Sequence, residues 1–164
     1  MRFELVQHLQ APLLVVEAAF VDPEFLRELA ASPKLGRLEL LDWNDDGDLV
    51  RQRVRYSFVG DLSAAVKAVV DPGRLTWIED SILDRRSHRT TFTILPDHYA
   101  RFLEASGTIR LSSGDDETVR RVDGQLSVRV PLVGRQVEAA IVSGLREHAR
   151  EEAAILNTWV RTRS

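Results

Sequence analysis

The chain has 164 residues, a formal net charge of −3, 44% hydrophobic and 29% charged residues, and no cysteine. Such a length sets one domain over 1–164 as the expectation, large enough to bury a core and an internal cavity. The mild acidity disfavours nucleic acid as a partner, and the missing cysteine excludes disulfides, thiolate metal sites and cysteine nucleophiles.

Phe3, Leu5, Gln7 and Leu9 alternate with Glu4, Val6, His8 and Gln10, which predicts a first strand. Ala11-Pro12 stops it. Pro12 suits the first turn of a helix with Leu13, Val16, Ala19 and Phe20 at helical spacing. Asp22-Pro23-Glu24 starts a second short helix: Asp22 caps it, Pro23 takes its first position, and Phe25, Leu26 and Leu29 form its apolar side. Arg37–Asn44 reads as a strand turning at Asn44–Gly47, where Asp46-Gly47 is a hairpin dipeptide. The return strand places Val50, Gln52, Val54, Tyr56 and Phe58 on one face and Arg51, Arg53, Arg55 and Ser57 on the other. The arginine ladder is expected on a solvated outer face; an anion-binding strip is the alternative.

Gly60–Val70 reads as a short helix or a loop, with Leu62, Ala65, Val66 and Val69 beneath it. Asp71-Pro72-Gly73 is a turn. Strands are predicted over Leu75–Asp84, Arg89–Leu95, Arg101–Ser112 and Thr118–Val130. In the last of them Val122, Leu126, Val128 and Val130 point inward, and Arg121, Asp123, Ser127 and Arg129 outward. Pro131 ends it. Val137, Ile141, Leu145, His148, Ile155, Leu156 and Trp159 then follow a helical period, with Ala140 and Gly144 in the same stripe. Roughly 24 helical residues at about 1.5 Å each make a rod of about 36 Å.

This order predicts an α+β fold: seven antiparallel strands, two short helices after the first, and a long C-terminal helix packed across the apolar face. A twisted sheet of that size curls, and one rod leaves space beside it.

The phrases LQAPLLVVEAAFVDPEF, LTWIEDSILD and VRVPLVGRQVEAAIVSGLREHAREEAAILNTWV resemble the START-like, or Bet v 1-like, superfamily, also called SRPBCC or helix-grip. More narrowly, TILPDHY, the Gly107–Leu111 strand and PLVGRQVE resemble its actinobacterial DUF2505 branch. The resemblance covers essentially the whole chain. It implies the helix-grip fold and a cavity between sheet and helix. The superfamily contains lipid carriers, cyclases, hydroxylase domains and co-chaperones, so fold alone does not select among them.

The candidate lining, from inward positions, is Gln52, Tyr56, Phe58, Trp77, Glu79, Phe92, Ile94, Leu111, Leu126, Val128, Ile141, Leu145 and His148. Most are ordinary core positions; Gln52 and Tyr56 add polar atoms to an apolar wall, as small-molecule pockets do. His148 lies on the apolar stripe of the long helix. A hydrogen-bonded core histidine is the plain reading, and a polar contact into a cavity the functional one. Trp77 and Glu79 share a strand face with Ser81 and Leu83, opposite Ile78, Asp80 and Ile82. Each face carries one carboxylate, so alternation does not select the inner one. The ordinary expectation is a solvated Glu79; an inward Glu79 would have a raised pKa and could serve as acid or ligand anchor.

His88 and His98 flank turns and are expected to be exposed. No two of the four histidines are spaced to chelate zinc, and Gly114–Glu117 lacks calcium-loop spacing, so neither a metal nor another cofactor is expected. No catalytic set is recognisable. No apolar run is long enough to span a membrane, and the N-terminus lacks a signal-type apolar segment. The expectation is a cytoplasmic protein that binds or carries a hydrophobic or amphipathic small molecule, lipid or polyketide-like. A cyclase/aromatase or dehydratase using Glu79, Tyr56 or His148, and a co-chaperone-like interaction module, are the alternatives. Oligomeric state is not encoded legibly.

Overall fold

The computed structural model describes residues 1–163. In chain order these form β1 (Arg2–Leu9), α1 (Leu13–Phe20), α2 (Pro23–Ala30), β2 (Leu38–Asp45), β3 (Leu49–Ser57), α3 (Ala64–Lys67), β4 (Thr76–Asp84), β5 (Arg89–Pro96), β6 (Leu103–Ser113), β7 (Thr118–Val128) and α4 (Gly134–Arg163). The strands make one sheet in the order β1-β7-β6-β5-β4-β3-β2, every pair antiparallel. It curls about α4, and α1 and α2 close the end near β2.

Local chemistry accounts for the element ends. Strict alternation buries Phe3, Leu5, Gln7 and Leu9 of β1 and leaves their neighbours outside. Pro12 precedes α1 as its cap residue, and its carbonyl accepts from Val16 N. Asp22 caps α2 through its side chain, which accepts from Glu24 N at 2.9 Å. The Gly60–Val70 segment contains a single helical turn, α3, capped by Ser63. Leu62, Val66 and Val70 face the core there, whereas Ala65 and Val69 point to solvent, contrary to the apolar underside expected. The buried positions recur every four residues, as one helical face requires.

Several boundaries differ from expectation; β6, for one, starts at Leu103, two residues late. β7 stops at Val128, because the chain turns at Leu132, which has a φ of 71° and is fully exposed. α4 runs for 30 residues, to Arg163. Basic Arg161 and Arg163 in its last turn suit the negative end of the helix dipole.

The core has two main parts and a small third one of Val21, Val50 and Leu83. Under the first half of α4, Val137 and Ile141 meet Leu5, Phe92, Ile109, Val122 and Leu126 from the sheet. Around the second half, Leu156 and Trp159 meet Leu9, Val16, Phe25 and Leu35. Phe25 touches Trp159 edge to face at 5.5 Å and Phe20 at 5.7 Å. Between β6 and β7, Gly107 and Gly124 are register partners. A Cβ on Gly107 would lie 2.7 Å from Phe92 Cζ, and one on Gly124 2.6 Å from Phe3 Cε1, so two bare backbones let two rings lie against the sheet.

Candidate functional site

A partly enclosed cavity of about 150 Å³ lies between the concave sheet and α4. Phe3, Phe92, Ile94, Val122 and Leu126 supply its apolar sheet wall, and Ile141 and Leu145 its helix wall. Gly144 allows this part of α4 to approach the loop after β3; a Cβ there would stand 2.7 Å from the Val59 carbonyl oxygen. The exposed residues Val59 and His98 border the cavity where it meets solvent.

Register brings the polar side chains to the other end. Tyr56 is opposite Trp77 and Val54 opposite Glu79, so Tyr56, Trp77 and Glu79 project to the same inner face. Glu79 therefore faces inward, which corrects the solvated placement expected from sequence; Asp80 takes the outer face with Arg51 and Arg53. The Tyr56 and Trp77 rings stack at 6.2 Å, and His148 meets Tyr56 edge to face at 5.7 Å.

A charged cluster anchors this polar end. Arg120 Nη1 donates to Gln7 Oε1 at 2.6 Å and to Glu152 Oε1 at 3.2 Å. Gln7 Nε2 donates to Glu152 Oε1 at 3.0 Å and to the Ala149 carbonyl at 2.7 Å. His148 Nε2 lies 3.6 Å from Glu152 Oε2, and the Arg120 guanidinium sits 4.2 Å from the Phe20 ring centroid. Burial alone would raise the Glu152 pKa, but the Arg120 charge, then His148 and Gln7, hold it at about 2. Glu152 is thus an ionised, fully used carboxylate.

Glu79 is the reverse case. Burial raises its pKa, with Glu152 adding to the rise while Arg120 and His148 oppose it. Among the described residues no group hydrogen bonds its carboxylate. Burial, then the charges of Glu79 and Glu152, push the Tyr56 phenol well above its ordinary value, so Tyr56 stays a neutral hydroxyl. One available acid and one neutral hydroxyl can orient a ligand's polar group, or exchange a proton with it.

A second chamber, of about 70 Å³, lies behind this polar end, beside α1 and α2. It shares Tyr56, Glu79, Ile109, Arg120 and Glu152 with the larger cavity and adds Glu17, Gln52, Ser81 and Thr90. His88, expected to be exposed, is half-buried, with Nδ1 2.7 Å from Oε2 of buried Glu17. Its φ of 54° in the β4–β5 turn aims the ring back at α1.

Of the candidates from sequence, Tyr56, Phe58, Trp77, Glu79, Phe92, Ile94, Leu126, Ile141, Leu145 and His148 line the larger cavity. Gln52 and Leu111 line the smaller one, where Gln52 Nε2 donates to the Phe20 carbonyl at 3.1 Å. Val128 lines neither and packs in the core, its amide donating to Glu138 Oε1 at 3.0 Å. Arg120, Gln7, Glu152 and Glu17 were missed. Gln7 lay in plain sight on the apolar face of β1, and extending the β7 alternation back from Val122 puts Arg120 inward. Glu152 is one helical turn beyond His148. No group of three or more side chains among the described residues could hold a metal ion, and no described helix is long and apolar enough to cross a membrane.

This architecture recurs in solved structures. The protein TTHA0849 from Thermus thermophilus is 15% identical, with a TM-score of 0.66, over 95% of this chain and 97% of that one. Norcoclaurine synthase from Thalictrum flavum is 18% identical, with a TM-score of 0.64, over 95% and 86%. The Zhui aromatase/cyclase from Streptomyces sp. R1128 is 15% identical, with a TM-score of 0.62, over 98% and 95%. At such identities these likenesses establish the Bet v 1-like, helix-grip fold. No curated protein matches the sequence. The family model described as "Protein of unknown function (DUF2505)" matches residues 4–160, and with nearly its whole length aligned the chain belongs to the DUF2505 family.

Proposed function

We propose that the protein binds or carries a small, mainly apolar molecule with one polar group, held between the sheet and the middle of α4. The observation that carries this reading is the hollow itself. It measures about 150 Å³, has an apolar wall, and ends at Glu79 and Tyr56. A dry cavity of about that volume accepts a benzene-sized ring. A co-chaperone-like module, by contrast, would be expected to fill its core. The cysteine-free composition supports placement in a reducing cytosol.

Organic extraction and native mass spectrometry of the purified protein, with titration of Trp77 fluorescence by single-ring aromatics, test the reading. Binding should be saturable and should be lost in Ala105→Trp, which puts an indole into the hollow from β6. Absence of any retained or titratable ligand in the wild-type chain would remove the reading.

A second reading, proton-transfer catalysis of the cyclase or dehydratase type, draws support from Glu79, whose carboxyl is inward, unbonded and more basic than usual. The aromatase/cyclase and norcoclaurine synthase likenesses keep it in view as fold analogy. Turnover of a carbonyl substrate that disappears in Glu79→Gln while binding persists would establish it; turnover unchanged in that variant would reject it.

A further inference from the structure

We infer that the ligand's polar end is a protonated amine, and that the site prefers a one-ring arylalkylamine over the matching alcohol or carboxylate. This rests on the cavity being a ligand site and specifies what enters it.

Charge is unevenly supplied where the two chambers meet. Glu79 faces that junction from β4, neutral Tyr56 from β3, Arg120 from β7 and Glu152 from α4, with His148 beside them in the larger cavity. Glu17 faces it from α1, across the smaller chamber. Three carboxylates therefore stand against one permanent cation. Arg120 is engaged through Nη1, which donates to Gln7 and Glu152, and its guanidinium lies over Phe20. Glu152 takes hydrogen bonds from Gln7 and Arg120, and Glu17 is paired with His88. Of the three, only Glu79 keeps a carboxylate that no described residue hydrogen bonds.

An incoming carboxylate would have to share Arg120 with Glu152 and would sit beside Glu79. An ammonium would find an unbonded carboxylate. The stacked Tyr56 and Trp77 rings next to it add faces that attract cations. The apolar wall takes the ring, so a short arm suffices to carry the amine to the junction.

Three matched probes decide the point: 2-phenylethylamine, 2-phenylethanol and phenylacetate, titrated calorimetrically into the full chain at neutral pH. The amine should bind about tenfold tighter than the alcohol, the margin of a charge-assisted over a neutral hydrogen bond. Phenylacetate should bind weakest. Glu79→Gln, checked for folding by its melting curve, should bring the amine down to the affinity of the alcohol measured in the same variant. Equal amine and alcohol affinities in the wild type, or phenylacetate binding as tightly as the amine, would overturn the inference and leave the cavity reading standing. An amine preference that survives in Glu79→Gln would overturn the role given to Glu79. If that variant does not fold, the wild-type comparison decides alone. No binding by any of the three, nor by benzene, would end both.

Discussion

Glu152→Gln removes a charge and little else, so its consequences can be worked out in advance. The carboxylate accepts from Gln7 at 3.0 Å and from Arg120 at 3.2 Å, and its pKa lies at about 2 instead of the ordinary 4.5. A folded-state pKa below the unfolded value means that the ionised form stabilises the fold. The contribution is complete above about pH 4.5 and is lost as pH falls toward 2. The difference between those values corresponds to about 3 kcal/mol at neutral pH. The substitution also strands Arg120, whose side chain is only 14% exposed, without its counter-charge. Removing one partner of a buried ion pair costs about 3–5 kcal/mol by direct measurement elsewhere. Both routes give the same size of effect, a large fraction of the roughly 5–15 kcal/mol that holds a typical domain folded. Urea unfolding of wild type and variant should show a gap of about 3–5 kcal/mol at pH 7 that narrows steadily below pH 4.5, as the wild-type carboxyl itself takes up a proton. A gap under about 1 kcal/mol at pH 7, or one of constant size down to pH 2.5, would refute this account of the cluster.

Glu79→Gln should do the opposite. Because burial raises the Glu79 pKa, its ionisation opposes folding only as pH climbs through 4.5 and beyond; the variant should gain stability at pH 7 and none at pH 4, measured by thermal melts. Amine binding to the wild type should weaken as pH drops below the raised Glu79 pKa, a trend that titration calorimetry in a pH series would reveal. His88→Ala leaves buried Glu17 without its partner and should cost about 1–3 kcal/mol in urea unfolding. Gly107→Ala presses a methyl against the Asp123 carbonyl oxygen and the Phe92 ring; a loss of about 1–3 kcal/mol is expected, and an unchanged melting curve would show that the strands yield.

Much of the fold could be read from the chain because period-two and helical patterns each bury one face. Val50, Val54, Tyr56 and Phe58 of β3 and the loop after it, and Val137, Ile141 and Leu145 of α4, are placed by spacing alone. The polar floor of the cavity was harder. Glu79 and Asp80 are adjacent acids on opposite faces, and alternation cannot say which face curls inward. Only pairing with the arginines of β3 on the convex side settles it. Arg120, Gln7 and Glu152 converge from β7, β1 and α4, so their meaning exists only once those elements are packed together. A buried arginine contradicts the usual placement of its residue type, and nothing local announces the carboxylate that makes it tolerable. His88 was misplaced for a related reason: a turn histidine is ordinarily wet, and the partner that draws it in is Glu17, far away in sequence.

The unequal halves of α4 bear on how such a molecule stays folded. A hollow of about 150 Å³ that opens to solvent leaves the apolar side chains of its wall short of packing partners. Close packing at the opposite end, where Leu156 and Trp159 lock onto Phe25 and Leu35, supplies a rigid clamp that does not depend on what occupies the void. The same rod is therefore keystone at one end and ceiling at the other. Any guest that fits should restore some of the forgone cohesion, raising the melting temperature in proportion to how completely it fills the space.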